Sequence, residues 1–484
     1  MLDAVFNHMS AQSEWFRHYL AADPAFVGRF RSEEPATDLS QVTRPRATPL
    51  LTPFQRPDGS VVYVWTTFSA DQVDLDFRDP TTLLSVLDAL LFYVSQGARL
   101  IRLDAIAYLW KVAGTSSIHL PETHRVIQSM RAVLDAAAPG TLIITETNVP
   151  HAENIAYFGD GHNEAHLVYN FTLPPLLFYS LLAGDATKLR EWINTLETPS
   201  PQTTFFNFTA SHDGIGVRPV EGILSAQELQ RLLDHVLALG GHVSYKANSD
   251  GSQSPYEINC SYVDAVNDPA APQAEQVARF LLSQGVMLAL AGVPAVYIHS
   301  LLGSHNDLAG MQQAGYPRAI NRAVLDAKPL GAELATPGSF RAQVFERYRE
   351  LIRIRRAQPA FHPNAAQAAL DLGQAGVLAL RRSAPQQTLL ALFNFSGAPQ
   401  QVELPGAGRD VLHQDERTGQ QVDPAALWNV AGSPLISAPT RPEASPPISF
   451  STSSTVTRLK SPKMPCLRHE AAMANSRARW RSSP

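Results

Sequence analysis

The stretch 99–111, RLIRLDAIAYLWK, places an arginine and an aspartate two positions apart in an apolar run. In an extended strand neighbouring side chains face opposite sides, so Arg102 and Asp104 share one face while Ile101, Leu103 and Ala105 share the other. Charges in such a run are costly unless they are paired. Taken alone, the stretch fits two readings: a structural ion pair, or a pair held for something that binds beside it.

Similar short runs recur along the chain, at 141–148 (TLIITETN), 166–173 (HLVYNFTL), 203–213 (TTFFNFTASHD) and 293–300 (VPAVYIHS). Between the first two lies HRVIQSMRAVLDAAA (124–138), apolar at helical spacing and stopped by Pro139-Gly140. Helical patterns also occupy 81–96, 226–239, 273–290 and 340–357. Strand and helix alternating at this rhythm predict an α/β fold with parallel strands. Asp104, Glu146 and Asp213 sit at the C-terminal ends of three runs, the end that carries the active site in a parallel α/β barrel.

Composition narrows the class. With 484 residues, 45% hydrophobic and 17% charged, the chain has room for a large globular domain and a smaller one. A formal net charge of -5 gives no reason to expect nucleic acid or an anionic membrane as partner. The two cysteines, Cys260 and Cys466, make neither a disulfide framework nor a zinc spacing. MLDAVFNHMS lacks the layout of a signal peptide, and VMLALAGVPAVYI (286–298) is too short and too broken to span a bilayer, so a cytoplasmic setting is expected.

Two irregular stretches, 28–76 and 241–271, interrupt the rhythm and read as lids or specificity loops. After about residue 360 the pattern changes. GVLALRRSAPQQTLLALFNFSG (376–397) has two β-runs across a polar turn, which predicts a small antiparallel β domain over 361–430. Residues 431–484 turn Pro/Ser-rich and then basic, and read as disordered.

Two carboxyl groups astride a glycosidic bond are the equipment of glycoside cleavage. One protonates the leaving oxygen; the other attacks the anomeric carbon or activates water. A third anion favours the oxocarbenium-like transition state, and an adjacent arginine keeps a nucleophile ionised. Taken singly, His8 and His212 fit two readings, a satisfied structural histidine or a hydrogen-bonding partner for sugar hydroxyls. Hard oxygen ligands also suit a metal. The one histidine pair at ligand spacing, His162 and His166 in HNEAH, lacks the Glu directly after the first His and reads as a solvated loop pair, so no metal site is assigned.

Four segments, DAVFNH (3–8), IRLDAIAY (101–108), ITETNVPH (144–151) and FTASHDGIG (208–216), together resemble the four signature regions of the α-amylase superfamily. VWTTFSADQVDLDF (64–77), YNFTLPPLLFYSLLAGD (169–185), GVPAVYIHSLLGSHND (292–307) and YPRAINR (316–322) are similar to its sucrose phosphorylase group. RLDAIAYLWK, GTSSIHLPETH (114–124) and ITETNVPH look closest to the glucosylglycerate phosphorylase-like branch. The resemblance covers roughly residues 2–400. It implies a (β/α)8 TIM barrel and a retaining glucoside phosphorylase. Asp104 then matches the nucleophile, Glu146 the general acid/base and Asp213 the transition-state stabiliser. Arg102, His8 and His212 match the glucose subsite, and Arg318 an arginine enclosing the glucose's far edge. The substrates implied are a small α-glucoside and inorganic phosphate, with no cofactor and no calcium.

The carboxylates alone would serve a hydrolase or transglucosylase equally well; phosphorolysis rests on the resemblance. Arg56, Arg218, His305 and Tyr316 lie in loops able to reach an acceptor subsite. The chain also departs from the group. It begins two residues before DAVFNH, where group members have two further strand–helix units, and its end lacks their closing β-strand. The expectation is a barrel lacking its first two strand–helix units, from a mis-started reading with a shifted frame near its end. An inactive fragment with weak sugar binding is the reading of another class.

Overall fold

Six short strands line up side by side, and every neighbouring pair is parallel. They are β1 (Leu2–Val5), β2 (Leu100–Asp104), β3 (Leu142–Thr145), β4 (Leu167–Tyr169), β5 (Thr204–Asn207) and β6 (Val293–Pro294). In space they follow chain order, the arrangement of successive right-handed βα units. Among the described residues β1 and β6 are the sheet's two edges. The computed structural model describes residues 1–248 and 250–402 in full, plus the backbone of strands at 408–410, 416–417 and 425–430. The segment 431–484, read as disordered from sequence, lies outside the described residues.

Five of the longer helices, α1 (Pro80–Ser95), α2 (Pro121–Ala137), α4 (Ala226–Ala238), α5 (Gln273–Ala289) and α6 (Phe340–Ala357), fall where periodicity predicts them, while α3 (Leu173–Ala183) lies where no helical pattern is expected. Asp79 accepts the Thr81 N–H before α1, Ser339 that of Ala342 before α6, and Ser225 with Glu228 closes a capping box at α4. Helix α3, LPPLLFYSLLA, is apolar all round and correspondingly buried on nearly every face.

The barrel interior above the strands is aromatic. Tyr169 packs against Phe206 at 4.9 Å and Phe208 at 5.2 Å between ring centroids, with Phe171 beside both. Ile144 and Leu167 join the same cluster. These rings make a floor on which Arg102 lies, its guanidinium 5.5 Å from the Tyr169 ring.

Both stretches read as irregular contain hairpins. In the first, Leu51–Gln55 pairs with Val61–Trp65. In the second, His242–Ala247 pairs with Gln253–Asn259, and the latter also pairs with Ile215–Gly216, just beyond Asp213. An isolated bridge from Arg44 to Ala247 brings the two insertions into contact. Alternation in HVSYKA and QSPYEIN was masked by Asn, Ser and Gly around the turn.

After α6, Ala366–Leu370, Val377–Ala384 and Gln387–Asn394 form antiparallel neighbours in a second sheet, whose inner side chains join α5 and α6 in one apolar cluster. Gly285 of α5 is small because of this: a Cβ there would meet the Phe393 ring at 3.2 Å. Buried Arg382 and partly buried Arg355 turn onto carbonyls that α5 leaves unpaired at its C-terminus, Arg382 donating to Ala289 O at 2.6 Å and Arg355 to Leu288 O, and Arg355 also donates to Gly292 O just beyond the helix at 2.9 Å.

Candidate active site

Strand β2 delivers Arg102 and Asp104 to the same face, and the pair closes: Arg102 Nη1 donates to Asp104 Oδ1 at 2.7 Å. The same nitrogen donates to Asp3 Oδ1 on neighbouring β1 at 2.7 Å, and Nε donates to Tyr169 Oη at 3.0 Å. Its Nη2 lies 3.9 Å from Glu146 Oε2. One arginine, 5% exposed, therefore faces carboxylates carried by three adjacent strands. Burial would discharge it, but Glu146 and Asp104 outweigh burial and push its pKa up.

Glu146 follows the last residue of β3, and its Oε2 also accepts the backbone N–H of Ala105 at 3.0 Å. Ala105 holds a left-handed conformation (φ 49°), which turns that N–H toward the next strand end. A non-glycine residue there is uncommon, and such positions gather where function constrains the backbone. Burial, with Asp104 and Asp213 adding like charge and Arg102 opposing, pushes the Glu146 pKa up to about 7. Glu146 is thus a carboxylic acid able to carry its proton at neutral pH beside the ion-paired carboxylate of Asp104.

Asp213 arrives by a longer route, six residues past the end of β5. Asn321 Nδ2 fixes its backbone by donating to Asp213 O at 2.9 Å and to Ser211 O at 3.1 Å. Arg318 donates to its carboxylate, and Arg322 Nη2 donates at 3.3 Å. Burial opposes ionisation, but Arg318 and His212 outweigh it and hold the Asp213 carboxyl below its ordinary value.

Arg318 is also gripped bidentately by Glu257, Nε to Oε1 at 2.8 Å and Nη2 to Oε2 at 2.5 Å. Sequence reasoning missed Glu257. Its signal was a carboxylate between Tyr256 and Ile258 on a strand, the same pattern that drew attention to Asp104.

His8 is buried beside Phe68, with ring centroids 5.3 Å apart, and contacts Gln72 through Nε2 at 2.7 Å. Burial lowers its pKa, which favours the neutral imidazole. Behind it, fully buried Asp74 takes hydrogen bonds from Thr67 Oγ1 at 2.6 Å and Asn7 Nδ2 at 3.3 Å, and pairs with Lys111 Nζ at 3.1 Å. His212 stays about half exposed at the rim, its Nε2 3.7 Å from Asp213 Oδ2.

The loop candidates separate. Arg56 lies over Tyr19 and donates to its carbonyl at 3.2 Å, His305 pairs with Asp264 at 2.5 Å, and Tyr316 is about half exposed. Arg218 is largely buried. Of the HNEAH pair, His166 Nδ1 accepts the Ile143 N–H at 3.1 Å while His162 is exposed. No group of three metal-ligating side chains occurs among the described residues.

Acidic groups gathered over an aromatic floor at the C-terminal ends of parallel strands define the class: an α-amylase-type (β/α)8 barrel. The model of the α-amylase catalytic domain family matches residues 1–224. A glucosylglycerate phosphorylase of Escherichia coli (strain K12) is 46% identical over 424 residues, covering 87% of this chain and 76% of that protein. One from Allomeiothermus silvanus is 48% identical over 430 residues, covering 88% and 76%. A sucrose phosphorylase of Agrobacterium vitis is 30% identical over 396 residues, covering 77% and 75%. Among solved structures, sucrose 6F-phosphate phosphorylase from Thermoanaerobacter thermosaccharolyticum shares the fold, with a TM-score of 0.70 at 22% identity over 81% of this chain and 79% of that one. The chain belongs to the family of glucosylglycerate and sucrose phosphorylases within the α-amylase superfamily.

Proposed function

We propose that the chain is a retaining glucoside phosphorylase that cleaves a small α-glucoside, glucosylglycerate or a near analogue, with inorganic phosphate to give α-glucose 1-phosphate. One observation carries this: the relatives at 46% and 48% identity are glucosylglycerate phosphorylases, while the sucrose phosphorylase stands at 30%. The carboxylate geometry is what such a reaction requires.

In this reading an Asp104 carboxylate oxygen attacks the anomeric carbon as the glycosidic bond breaks. Glu146 gives its proton to the departing oxygen, which leaves as an alcohol. A phosphate oxygen then attacks the same carbon from the opposite face, Asp104 leaves as carboxylate, and Glu146 takes up the phosphate proton. Two inversions give net retention. Arg102 keeps Asp104 ionised; Asp213, His8 and His212 bind sugar hydroxyls, and Arg318 closes the far edge of the glucose. The residues call for no cofactor.

The same reading takes residues 1–360 as the catalytic barrel, two strand–helix units short of the full count, and 361–430 as a C-terminal β domain. Among the described residues the parallel sheet ends at β1 and β6, which supports the first part. No helix among the described residues is long and apolar enough to cross a membrane, and the reading takes the setting as cytoplasmic.

The test is to incubate the protein with glucosylglycerate, with and without phosphate, and to assay glucose 1-phosphate against free glucose. Phosphate-dependent glucose 1-phosphate is expected. Free glucose released at the same rate without phosphate would point to a hydrolase instead.

A further inference from the structure

His8 meets a side-chain amide at each ring nitrogen. Asn7 Nδ2 lies 3.2 Å from Nδ1, and Gln72 Nε2 lies 2.7 Å from Nε2. Burial lowers the pKa of the ring, which therefore carries one proton. A neutral imidazole has one donor and one acceptor, so the two amides cannot both donate to it. One of them must present its oxygen, and the surroundings decide which.

Asn7 has no freedom to do so. Its side chain is fully buried, and its polar atoms are matched. Lys111 Nζ donates to Oδ1 at 2.9 Å, while Nδ2 donates to Asp74 Oδ2 at 3.3 Å. Turning the amide over would set Nδ2 against an ammonium that only donates, and Oδ1 against a carboxylate that accepts. The two charges that forbid the turn are themselves fixed. Lys111 Nζ and Asp74 Oδ2 pair at 3.1 Å, with side chains 2% and 0% exposed. Asp74 Oδ1 also takes the Thr67 N–H at 3.1 Å, and Oδ2 the Thr67 hydroxyl at 2.6 Å. A buried pair with these extra bonds is held to one geometry.

Gln72 is not held in this way. Its Oε1 lies 2.9 Å from Ser69 Oγ, and a hydroxyl accepts as readily as it donates. The Gln72 amide can turn its oxygen to His8 without losing a bond, whereas Asn7 cannot turn at all. Asn7 thus donates to Nδ1, and the ring proton belongs to Nε2.

We propose that Lys111 is a positioning residue: with Asp74, and through Asn7, it fixes His8 as the tautomer with Nδ1 bare and the proton on Nε2, presented to a glucose hydroxyl. This rests on the phosphorylase reading, in which His8 binds the sugar. The arrangement joins two parts of the site. Lys111 stands beyond the short helix Ile106–Tyr108 that leads away from Asp104, and Asp74 lies opposite His8 on paired strands. The stretch that carries Asp104 reaches round to orient the histidine.

The experiment labels histidine with nitrogen-15 and reads, by long-range proton–nitrogen correlation without substrate, which nitrogen of His8 is protonated. His8→Gln identifies the signal by its loss. The unaltered protein is expected to show protonated Nε2 and bare Nδ1; the opposite tautomer overturns the proposal, and this measurement needs no folded variant. Lys111→Met combined with Asp74→Leu removes both charges that hold Asn7 while leaving its amide free to turn. In this double variant, checked for a cooperative melt, part of the ring is expected to shift to Nδ1–H. A tautomer unchanged there overturns the proposal. The loss in kcat/KM for glucosylglycerate should match the fraction of ring that leaves the Nε2–H form, about 2-fold if half of it does. A shifted tautomer with kcat/KM unchanged overturns it as well. Absence of phosphate-dependent product in the unaltered protein counts instead against the phosphorylase reading.

Discussion

Glu146 and Asp104 both face the Arg102 guanidinium, Asp104 through a hydrogen bond and Glu146 at 3.9 Å, and burial with neighbouring like charge pushes Glu146 up to about 7. Asp104 is hydrogen-bonded to Arg102, while Glu146 lies farther from the cation and deeper among like charges. Replacing Asp104 with Asn is expected to abolish turnover while the melting temperature changes little. Glu146→Gln should cost about 10²- to 10⁴-fold on the natural glucoside and far less on α-glucosyl fluoride, whose leaving group needs no proton. Equal losses on both would argue against an acid role. The pH sign follows directly. In the proposed reaction bond cleavage needs protonated Glu146, so kcat/KM for the glucoside falls as pH rises through about 7, and Glu146→Gln should remove that limb. At this scale Arg102 and Asp104 were legible because strand alternation puts both on one face, and Glu146 because it stands at the C-terminal end of the next apolar run. Glu257 and the Ala105 N–H were not, since one depends on a hairpin pairing and the other on a backbone angle.

The first insertion is fastened to the barrel by a buried charge pair. Asp74, on the short strand Gln72–Asp74 that pairs with His8–Ser10, meets Lys111 Nζ, which also donates to Asn7 Oδ1 at 2.9 Å. Lys111→Met should therefore destabilise the fold by about 3–5 kcal/mol, because it strands the Asp74 carboxylate without its cation. Combining it with Asp74→Leu should recover part of that loss, which chemical denaturation of the single and double variants can measure. A double variant no more stable than Lys111→Met would show that the pair is not the coupling. The five helices with a clear apolar face were readable to within a few residues, because 3.6-residue periodicity is local, whereas Leu173–Ala183, apolar all round, shows no such face. The 241–271 hairpin was hidden, because its partner strand Ile215–Gly216 lies outside that segment and is only two residues long.

For the whole molecule, parallel order β1 to β6 is what alternating strand and helix patterns imply, but the state of the sheet's edges is not written in any local pattern. A strand with one neighbour leaves backbone groups facing outward. Amide exchange in β1 and β6 is accordingly expected to be much faster than in β2 to β5, as read by hydrogen-exchange mass spectrometry. Uniform protection across all six would mean that the edges are covered. Asp3 on β1 is tied to Arg102, so this edge also bears on how firmly Arg102, and through it Asp104, is held. The most direct test of the central claim is to trap the glucosyl-enzyme. Glu146→Gln treated with α-glucosyl fluoride and quenched in acid should carry one glucosyl residue on the peptide containing Asp104, and added phosphate should discharge it as α-glucose 1-phosphate. A label on another carboxylate, or none while the fluoride is still consumed, would contradict it.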